Sequence, residues 1–392
     1  MLKKSISVIV ISCVASFILS CGNSENKKTT EKKDTIKVAK KEKVVINKKF
    51  TDIAMFVAGM AVDDKSELYK LSKTESFKNY SAQTDSSWGK LEKGRISKMK
   101  GWSEKELVDL NKDLKTLFYP FSGPDFLHVH TFFPKAEKYI LFGLEPVGSV
   151  PDMKSMTNET LTPFFSSLNT SIQDAVSLSF FKTIDMSKEL TTSQVPGITP
   201  VLMLFIARTG HEIIDIKPWE IRDDGKITYI DKFTNLKGKE SFNKGVEISF
   251  VEKGDSVVQK LYYFSADVSD AEIKNNTKAT KFFDNLDENV ITMVKSASYL
   301  MHKSYFSYIR NIVLKKSKAF FQDDSGIAFR YIDRKNWNVK LYGKYNGPIK
   351  LFSKCYEKDL KEAYINDSLK IKPIDFHYGY GKTSALLIAR KK

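Results

Sequence analysis

The stretch that most constrains the fold is residues 117–148, where one polar break separates two apolar runs: LFYPFSGPDFLHVHTFFPKAEKYILFGLEPVG. Apolar runs of about four to eight residues are typical of buried strands. We predict a strand over 116–121, a helix over about 125–133 and a second strand over 138–144. Parallel strands need a crossover of about a dozen residues, so this spacing predicts two adjacent parallel strands joined by a short helix.

The ends of these two predicted strands carry the first candidate site. Ser122 and Asp125 follow the first strand, and Glu145 follows the second. Ligands of open α/β sheets bind beyond the carboxyl ends of the parallel strands. Pro124 and Asp125 also suit the first turn of a helix, because proline is tolerated there and a carboxylate caps free backbone amides. We therefore predict Asp125 first as a helix cap and second as a ligand-binding or catalytic residue.

The same residues resemble the first βαβ unit of dinucleotide-binding folds and of S-adenosylmethionine-dependent methyltransferases. Glu145 follows Gly123 by about the twenty positions at which those families place the acid that holds the ribose hydroxyls. The loop has one glycine where the dinucleotide motif has three, Pro124 lacks an amide for a phosphate, and Asp125 adds negative charge. We predict a Rossmann-like scaffold without a cofactor. The SGPD and GLEP segments are also similar to exported bacterial proteins, a resemblance that implies no reaction.

The first 20 residues are typical of an export signal. Two lysines precede a fourteen-residue apolar run, residues 6–19, which is too short to span a membrane. The run ends in LSCG, which resembles the lipobox of bacterial lipoproteins and implies cleavage before Cys21 and lipid on that cysteine. An ordinary signal peptide with a chance cysteine is the alternative. Gly22 is not an acidic retention signal, which favours the outer membrane, facing the periplasm.

The segment after the lipobox predicts a basic tether. Residues 22–49 hold ten lysines, four acids and few apolar residues. Burial in such a segment cannot offset the entropy of ordering, so we predict that residues 21–49 are disordered. Of the total net charge of +16, the signal carries +2 and the tether +6, which leaves +8 dispersed over residues 50–392. Without a basic stripe, nucleic acid is not an expected partner. The expected partners are the membrane and an unidentified small molecule or envelope component.

Residues 50–392 predict a single large α/β domain with a mixed sheet, and two fused lobes dividing near 190–210 are the alternative. Apolar spacing from residue 50 to 117 is helical. Residues 211–264 read as two hairpins in a central antiparallel meander, in which Val246, Ile248 and Phe250 alternate with polar residues and predict one solvated face. Beyond them, we predict strands in KAFFQDDSG, NWNVKLYGKY and TSALLIARKK, and helices in SYFSYIRNIVLKK and YEKDLKEAYIN.

A second candidate site lies where the strand in KAFFQDDSG ends. Asp323 and Asp324 are followed by Arg330 and Arg334, and such a group suits a cation, a sugar or an acid. A turn whose side chains cap the backbone is the alternative. No cysteine cluster predicts a metal site, because Cys355 is the one cysteine that follows the lipobox.

These features lead to one main hypothesis for function and two alternatives. The lipobox and the incomplete motifs predict a lipid-anchored cell-envelope protein that binds a ligand or partner. The first alternative is an exported hydrolase that uses Asp125, Glu145 or the pair Asp323 and Asp324 as acid and base, with Ser122 as a weaker candidate nucleophile. The second alternative is a degenerate methyltransferase-like Rossmann domain without a cofactor.

Overall fold

The computed structural model describes residues 44–178, 195, 197–232, 241–368, 370–380 and 384–392. The predicted signal peptide, Cys21 and most of the predicted tether lie outside the described residues. The folded part starts slightly before residue 50, because the Asn47 side chain caps α1 (Lys48–Val57) and the Asn47 amide donates to the carbonyl oxygen of Ile213. Within the described ranges, no helix has both the length and the apolar content to cross a membrane.

The structure is α/β with a ten-stranded mixed sheet among the described residues, which confirms the predicted fold class. The strands lie in the order β4-β3-β5-β6-β2-β1-β7-β8-β10-β9. The five from β6 to β8 are parallel neighbours, and antiparallel strands extend the sheet on both sides. The strands are β1 (Thr116–Tyr119), β2 (Lys138–Gly143), β3 (His211–Ile221), β4 (Ile227–Tyr229), β5 (Lys244–Glu252), β6 (Val258–Ser265), β7 (Val290–Val294), β8 (Ser317–Gln322), β9 (Trp337–Gly343) and β10 (Ala385–Lys391).

Helices cover both faces of the sheet. Beyond α1, and numbered along the described residues, they are α2 (Tyr69–Ser72), α3 (Glu75–Leu91), α4 (Ser97–Glu106), α5 (Val108–Asn111), α6 (Phe126–Phe132), α7 (Asn158–Leu178), α8 (Thr199–Arg208), α9 (Asp270–Asn275), α10 (Thr277–Asp284), α11 (Ser307–Lys316) and α12 (Lys358–Asn366). A π-helical turn, Glu92–Ile96, joins α3 to α4. The N-terminal helical segment, the helices in SYFSYIRNIVLKK and YEKDLKEAYIN, and the three later strands are thus as predicted.

Two apolar cores lie on opposite faces of the sheet. Leu117 and Tyr119 of β1 belong to one core and Phe118 to the other, as the alternation of side chains along a strand requires. The first core is completed by helices from α1 to α8, and the second by α9 to α12. All the buried apolar residues described here lie between Ile53 and Ala389, so this fold draws its core from residues after the tether.

The predicted strand–helix–strand unit forms as β1, α6 and β2. The two strands are parallel neighbours, with Thr116 beside Lys138 and Tyr119 beside Leu141. The helix begins after Asp125, whose side chain accepts the backbone N–H of His128. β1 ends two residues earlier than expected and β2 one residue earlier, because the chain turns towards the loops as soon as the parallel pairing ends.

The two predicted hairpins also form, but they do not make a simple meander. β4 pairs with the outer edge of β3, while β5 pairs with the inner edge of β3 and with β6. The prediction of a solvated face is wrong for β5, because Glu247 and Ser249 are buried along with Val246, Ile248 and Phe250. The Glu247 carboxylate accepts hydrogen bonds from Tyr229 and Lys260, which compensates its loss of water.

Candidate functional site

A cavity of about 780 Å³ lies at the carboxyl edge of the parallel strands. It is lined by the loops after β1, β2, β6 and β7 and by part of the segment before α12. The polar side chains in its lining include Ser122, Asp125, Glu145, Asp267 and Lys295, so the structure brings the first three candidate residues together. Much of the remaining lining is aromatic, from Phe121, Phe142, Tyr305, Phe306, Phe352 and Tyr380.

The Asp125 carboxylate, which belongs to this lining, accepts several hydrogen bonds and forms one ion pair. Besides the cap to the His128 amide, it accepts the His128 ring Nδ1–H at 2.6 Å and the Tyr119 hydroxyl at 3.0 Å. Lys295 Nζ lies 2.8 Å from Asp125 Oδ2 and forms an ion pair with this carboxylate. All four side chains are buried. Asp125 is therefore the helix cap that the sequence predicted, and its lone pairs are committed to the protein.

Electrostatics fix the charge state of this group. Burial alone would raise the pKa of Asp125, but nearby His128 and Lys295 outweigh it and hold the pKa well below its usual range. Burial lowers the pKa of His128 to about 4, against the attraction of Asp125. At pH 7 the ring is neutral with its proton on Nδ1, and Lys295 is the counter-ion of the carboxylate. An ionised, fully bonded carboxylate of this kind is a structural group and not a free general base.

Ser122 is held in the same way. Its hydroxyl donates to the carbonyl oxygen of Gly123 at 2.9 Å and lies 3.3 Å from that of Phe142, which follows from the tight turn after β1. A hydroxyl that donates to carbonyl oxygens has no base to take its proton. The geometry gives no support to Ser122 as a nucleophile.

Glu145 is buried at the end of β2 and borders the cavity. The Tyr263 hydroxyl lies 3.0 Å from its carbonyl oxygen and 3.3 Å from its carboxylate. Gly143 makes room for this carboxylate, because a Cβ atom at residue 143 would collide with Glu145 Oε2 and press on Gly123. The glycine thus lets β2 and the loop after β1 approach each other at the cavity.

The loop after β7 has an unusual backbone. Ser296, Ser298 and Tyr299 have φ angles of 53°, 50° and 54°, and Phe121 across the cavity has 59°. Non-glycine residues in the left-handed region cost of order 1 kcal/mol or more, and they concentrate at functional sites. Among the described residues, the buried Ser296 hydroxyl has no hydrogen-bond partner. Strained backbone and an unsatisfied hydroxyl thus occur together in one loop that borders the cavity.

The second candidate site does not join the cavity. Asp323 caps a turn by accepting the backbone amides of Ser296 and Ser325, and Asp324 accepts the Tyr299 hydroxyl at 2.7 Å. Burial raises the pKa of both carboxyls, and Asp323 adds to the rise at Asp324, which reaches about 7. The two face a void of about 10 Å³, which has room for about one water molecule.

The arginines near this pair point elsewhere. Arg330 donates to the carbonyl oxygen of His302 and lies against Tyr331, while Arg334 lies over the ring of Phe329. The geometry therefore gives no support to an arginine-flanked site for a cation, sugar or acid, and Asp323 caps the backbone as the alternative predicted. In the part of the chain that the structure describes, no group of three histidine, cysteine, aspartate or glutamate residues is placed to hold a metal.

The sequence analysis missed two residues of the cavity, Lys295 and Asp267. Lys295 directly follows β7, and Asp267 follows β6 after one intervening residue. A charged residue close after a strand is the same signal that singled out Asp125 and Glu145. Lys295 is charged and buried at the end of β7, a position that needs an anionic partner. A search for every charged residue at a strand end would have found both.

The order of the parallel strands explains why these ends meet. Numbered along the chain, the parallel strands lie in the order 3-2-1-4-5, as in doubly wound folds whose ligands bind where the order reverses. Here the order reverses between β1 and β7, and the cavity lies at that place. No protein-family model matches this sequence, and a comparison with curated proteins gives no match either.

Proposed function

We propose that this chain is a lipid-anchored cell-envelope protein that binds a small, hydroxyl-bearing molecule in the cavity at the carboxyl edge of its sheet. The observation that carries the proposal is the position of Glu145 and Asp267. They follow neighbouring strands, β2 and β6, and border one cavity whose lining is otherwise largely apolar. The lipobox-like sequence at Cys21 supports the anchored location.

The charges of the lining favour a neutral or cationic ligand. Among the described residues of the lining, Lys295 is paired with Asp125, while Glu145 and Asp267 add two acidic side chains. Carboxylates accept hydrogen bonds from paired hydroxyls or an amine, and they repel phosphate. Pro124 also removes an amide that a phosphate would need.

The shape of the lining favours a ligand with a flat or apolar part. A cavity of about 780 Å³ has the volume of typical small-molecule sites. Its aromatic residues, such as Phe121 and Phe306, offer ring faces for stacking. A nucleoside has both a flat ring and paired hydroxyls, so adenosine is a suitable probe of this class.

The proposal is tested by thermal melting with adenosine, a hexose and inorganic phosphate. We expect adenosine to raise the melting temperature and phosphate to leave it unchanged. A ligand at about 100 times its dissociation constant stabilises by about 2.7 kcal/mol, which is a shift of several degrees. Glu145→Gln removes the charge with little change in shape and should abolish the shift. Glu252→Gln is the matched control and should retain the shift, because Glu252 ends β5 at the edge of the sheet opposite the cavity.

Two outcomes would refute the proposal. An equal shift with phosphate would show that the cavity is an anion site. A shift with adenosine that survives Glu145→Gln would place the ligand away from this carboxylate.

A second candidate is a methyltransferase-like domain that has kept its ligand cavity and lost its cofactor. The specific observation is the order 3-2-1-4-5 of the five parallel strands, with the cavity at the place where that order reverses. The first βαβ unit of this sheet resembles that of S-adenosylmethionine-dependent methyltransferases. This is a likeness of fold, and fold does not determine function.

The residues fit that cofactor only in part. Glu145 suits its ribose hydroxyls, but the loop after β1 has one glycine, and Asp125 is tied to Lys295. Calorimetric titration with S-adenosylmethionine separates the two candidates from an active methyltransferase. We expect S-adenosylmethionine not to bind at Glu145. Saturable binding that Glu145→Gln weakens, together with transfer of the methyl group, would contradict both candidates.

A further inference from the structure

Three exposed apolar side chains border the cavity. Leu351 is 80% exposed, Tyr305 53% and Leu144 52%, and all three belong to its lining. They come from three separate segments: the turn after β2, the 3₁₀ turn Ser304–Phe306 and the 3₁₀ segment Lys350–Cys355. Single exposed apolar residues are ordinary, but three that border one cavity add apolar surface that water solvates poorly.

Lysines accompany this apolar rim. Lys350 and Lys354 are exposed in the same 3₁₀ segment as Leu351. Lys303 Nζ lies 5.6 Å from the ring centre of Tyr305 and brings a third positive charge to the patch. Aromatic and aliphatic side chains flanked by lysines are typical of surfaces that lie in the headgroup region of a membrane.

We propose that this rim, Leu144, Tyr305 and Leu351 with their neighbouring lysines, docks on an anionic phospholipid surface. The apolar side chains would enter the boundary between headgroups and acyl chains, and the lysines would contact lipid phosphates. The cavity would then open towards the membrane, so that its ligand enters from the interface. The inference rests on the proposed location of the chain beside a membrane, and it is independent of the ligand's identity.

The chemistry of the rim favours lipid over a second copy of this chain. A lysine-rich patch facing itself across a two-fold axis would repel its own copy, because an isologous interface brings the same residues together. An anionic bilayer satisfies both the charge and the apolar side chains at once. Each lysine near such a surface strengthens binding by about fivefold at moderate ionic strength.

The test uses a chain that begins at residue 44, because the described core lies wholly after that residue and the basic tether is thereby removed. Vesicles of pure phosphatidylcholine and of phosphatidylcholine with about one third phosphatidylglycerol are sedimented with the protein. We expect binding to the anionic vesicles that is at least about tenfold stronger and that falls with added salt. Circular dichroism and thermal melting verify that each variant is folded.

Two variants and two controls locate the contact. Leu351→Ser should weaken vesicle binding at least about fivefold, and Lys350→Glu with Lys354→Glu should weaken it at least about tenfold. Val257→Ser is the matched control, because Val257 is 55% exposed but precedes β6 at the opposite edge of the sheet. Glu145→Gln should leave vesicle binding intact, so a failure of the ligand proposal is distinguishable from a failure of this one.

Several results would overturn the inference. It fails if the chain binds neither vesicle, or if it binds both equally. It also fails if Val257→Ser weakens binding as much as Leu351→Ser does. Concentration-dependent dimers that Leu351→Ser disrupts, without vesicle binding, would assign the rim to a second copy. Binding of the rim by a peptide of residues 22–43, without vesicle binding, would assign it to the chain's own tether.

Discussion

Asp125, the cap of α6, and Lys295, the residue after β7, form an ion pair of 2.8 Å in which both side chains are almost completely buried. The pair joins the loops after two neighbouring parallel strands, β1 and β7. Because a buried charge without a partner is costly, each residue fixes the position of the other. The pair therefore holds together the two loops that border the cavity, which is why we assign it to the architecture of the site and not to its chemistry.

Asp125→Ala should cost far more than the loss of a helix cap. Removal of Asp125 takes away the carboxylate that pairs with the buried Lys295, which costs about 3–5 kcal/mol, whereas a cap alone is worth about 0.5–2 kcal/mol. The free energy of unfolding in urea measures the difference. The double variant Asp125→Ala, Lys295→Met should recover part of the loss, because no charge is then left buried.

The exposed pair of Glu92 and Lys100 provides the control for this prediction. Glu92→Ala should change stability by about 1 kcal/mol or less, as is usual for surface ion pairs. A loss of only about 1 kcal/mol in Asp125→Ala, with no recovery in the double variant, would show that Asp125 is merely a cap.

Glu357→Gln should remove a pH dependence of stability. Burial raises the pKa of Glu357 to about 8, and the Asp359 carboxylate contributes, although the Phe329 amide partly offsets the rise. A carboxyl group with a raised folded-state pKa stabilises fully below its unfolded value of about 4.3, and this stability is lost as the pH rises through about 8. Ionisation at high pH leaves a buried charge, which the glutamine avoids.

The measurement is the free energy of unfolding in urea at pH 5 and pH 9. At each pH, the free energy of unfolding of the wild type is subtracted from that of the variant. This difference should be larger at pH 9 than at pH 5 by at least about 1.4 kcal/mol, the equivalent of one pKa unit. Glu252→Gln, at an exposed position, should show no such gain. Equal pH dependence in the wild type and Glu357→Gln would mean that Glu357 is ionised at neutral pH in the folded protein.

Local sequence patterns were sufficient to predict the strand–helix–strand unit and most later elements. The runs at β1 and β2 are largely apolar, and Pro124 and Asp125 mark the helix start with residues whose chemistry is local. Even the cap at Asp125 involves an amide only three residues away. Structure that depends on neighbours in sequence is visible in the sequence.

The partners across the sheet were not predictable in this way. Lys295 meets Asp125 only because β7 lies beside β1, and that adjacency depends on the order of strands far apart in the chain. Asp323 and Asp324 show the opposite error: they are neighbours in sequence, but one caps a turn and the other bonds Tyr299. The solvated face expected for β5 was wrong because Tyr229 and Lys260, which come from other strands, donate to Glu247 and help to bury it.

Cys21→Ser should release the protein from membranes. The lipobox resemblance implies acyl chains on this cysteine, and each buried methylene is worth about 0.8 kcal/mol of anchoring. In cells fed labelled palmitate, we expect label in the wild type and none in the variant, with the variant found largely outside the membrane fraction. Cys355→Ser, at the free cysteine of the folded part, is the control and should keep the label. Retained label in Cys21→Ser would contradict the anchor.

The strain in the loop after β7 gives the last prediction. Ser298 has a φ of 50°, which a glycine adopts without strain, so Ser298→Gly should be more stable than Ser298→Ala by about 1 kcal/mol. The alanine variant is the matched control, because both variants lose the contact of the serine hydroxyl with Tyr380. Urea unfolding measures the difference, and an alanine variant as stable as the glycine variant would contradict the strain. If the strained loop is pre-organised for a ligand, the glycine variant should also bind adenosine more weakly than the alanine variant, because a flexible loop must be ordered on binding.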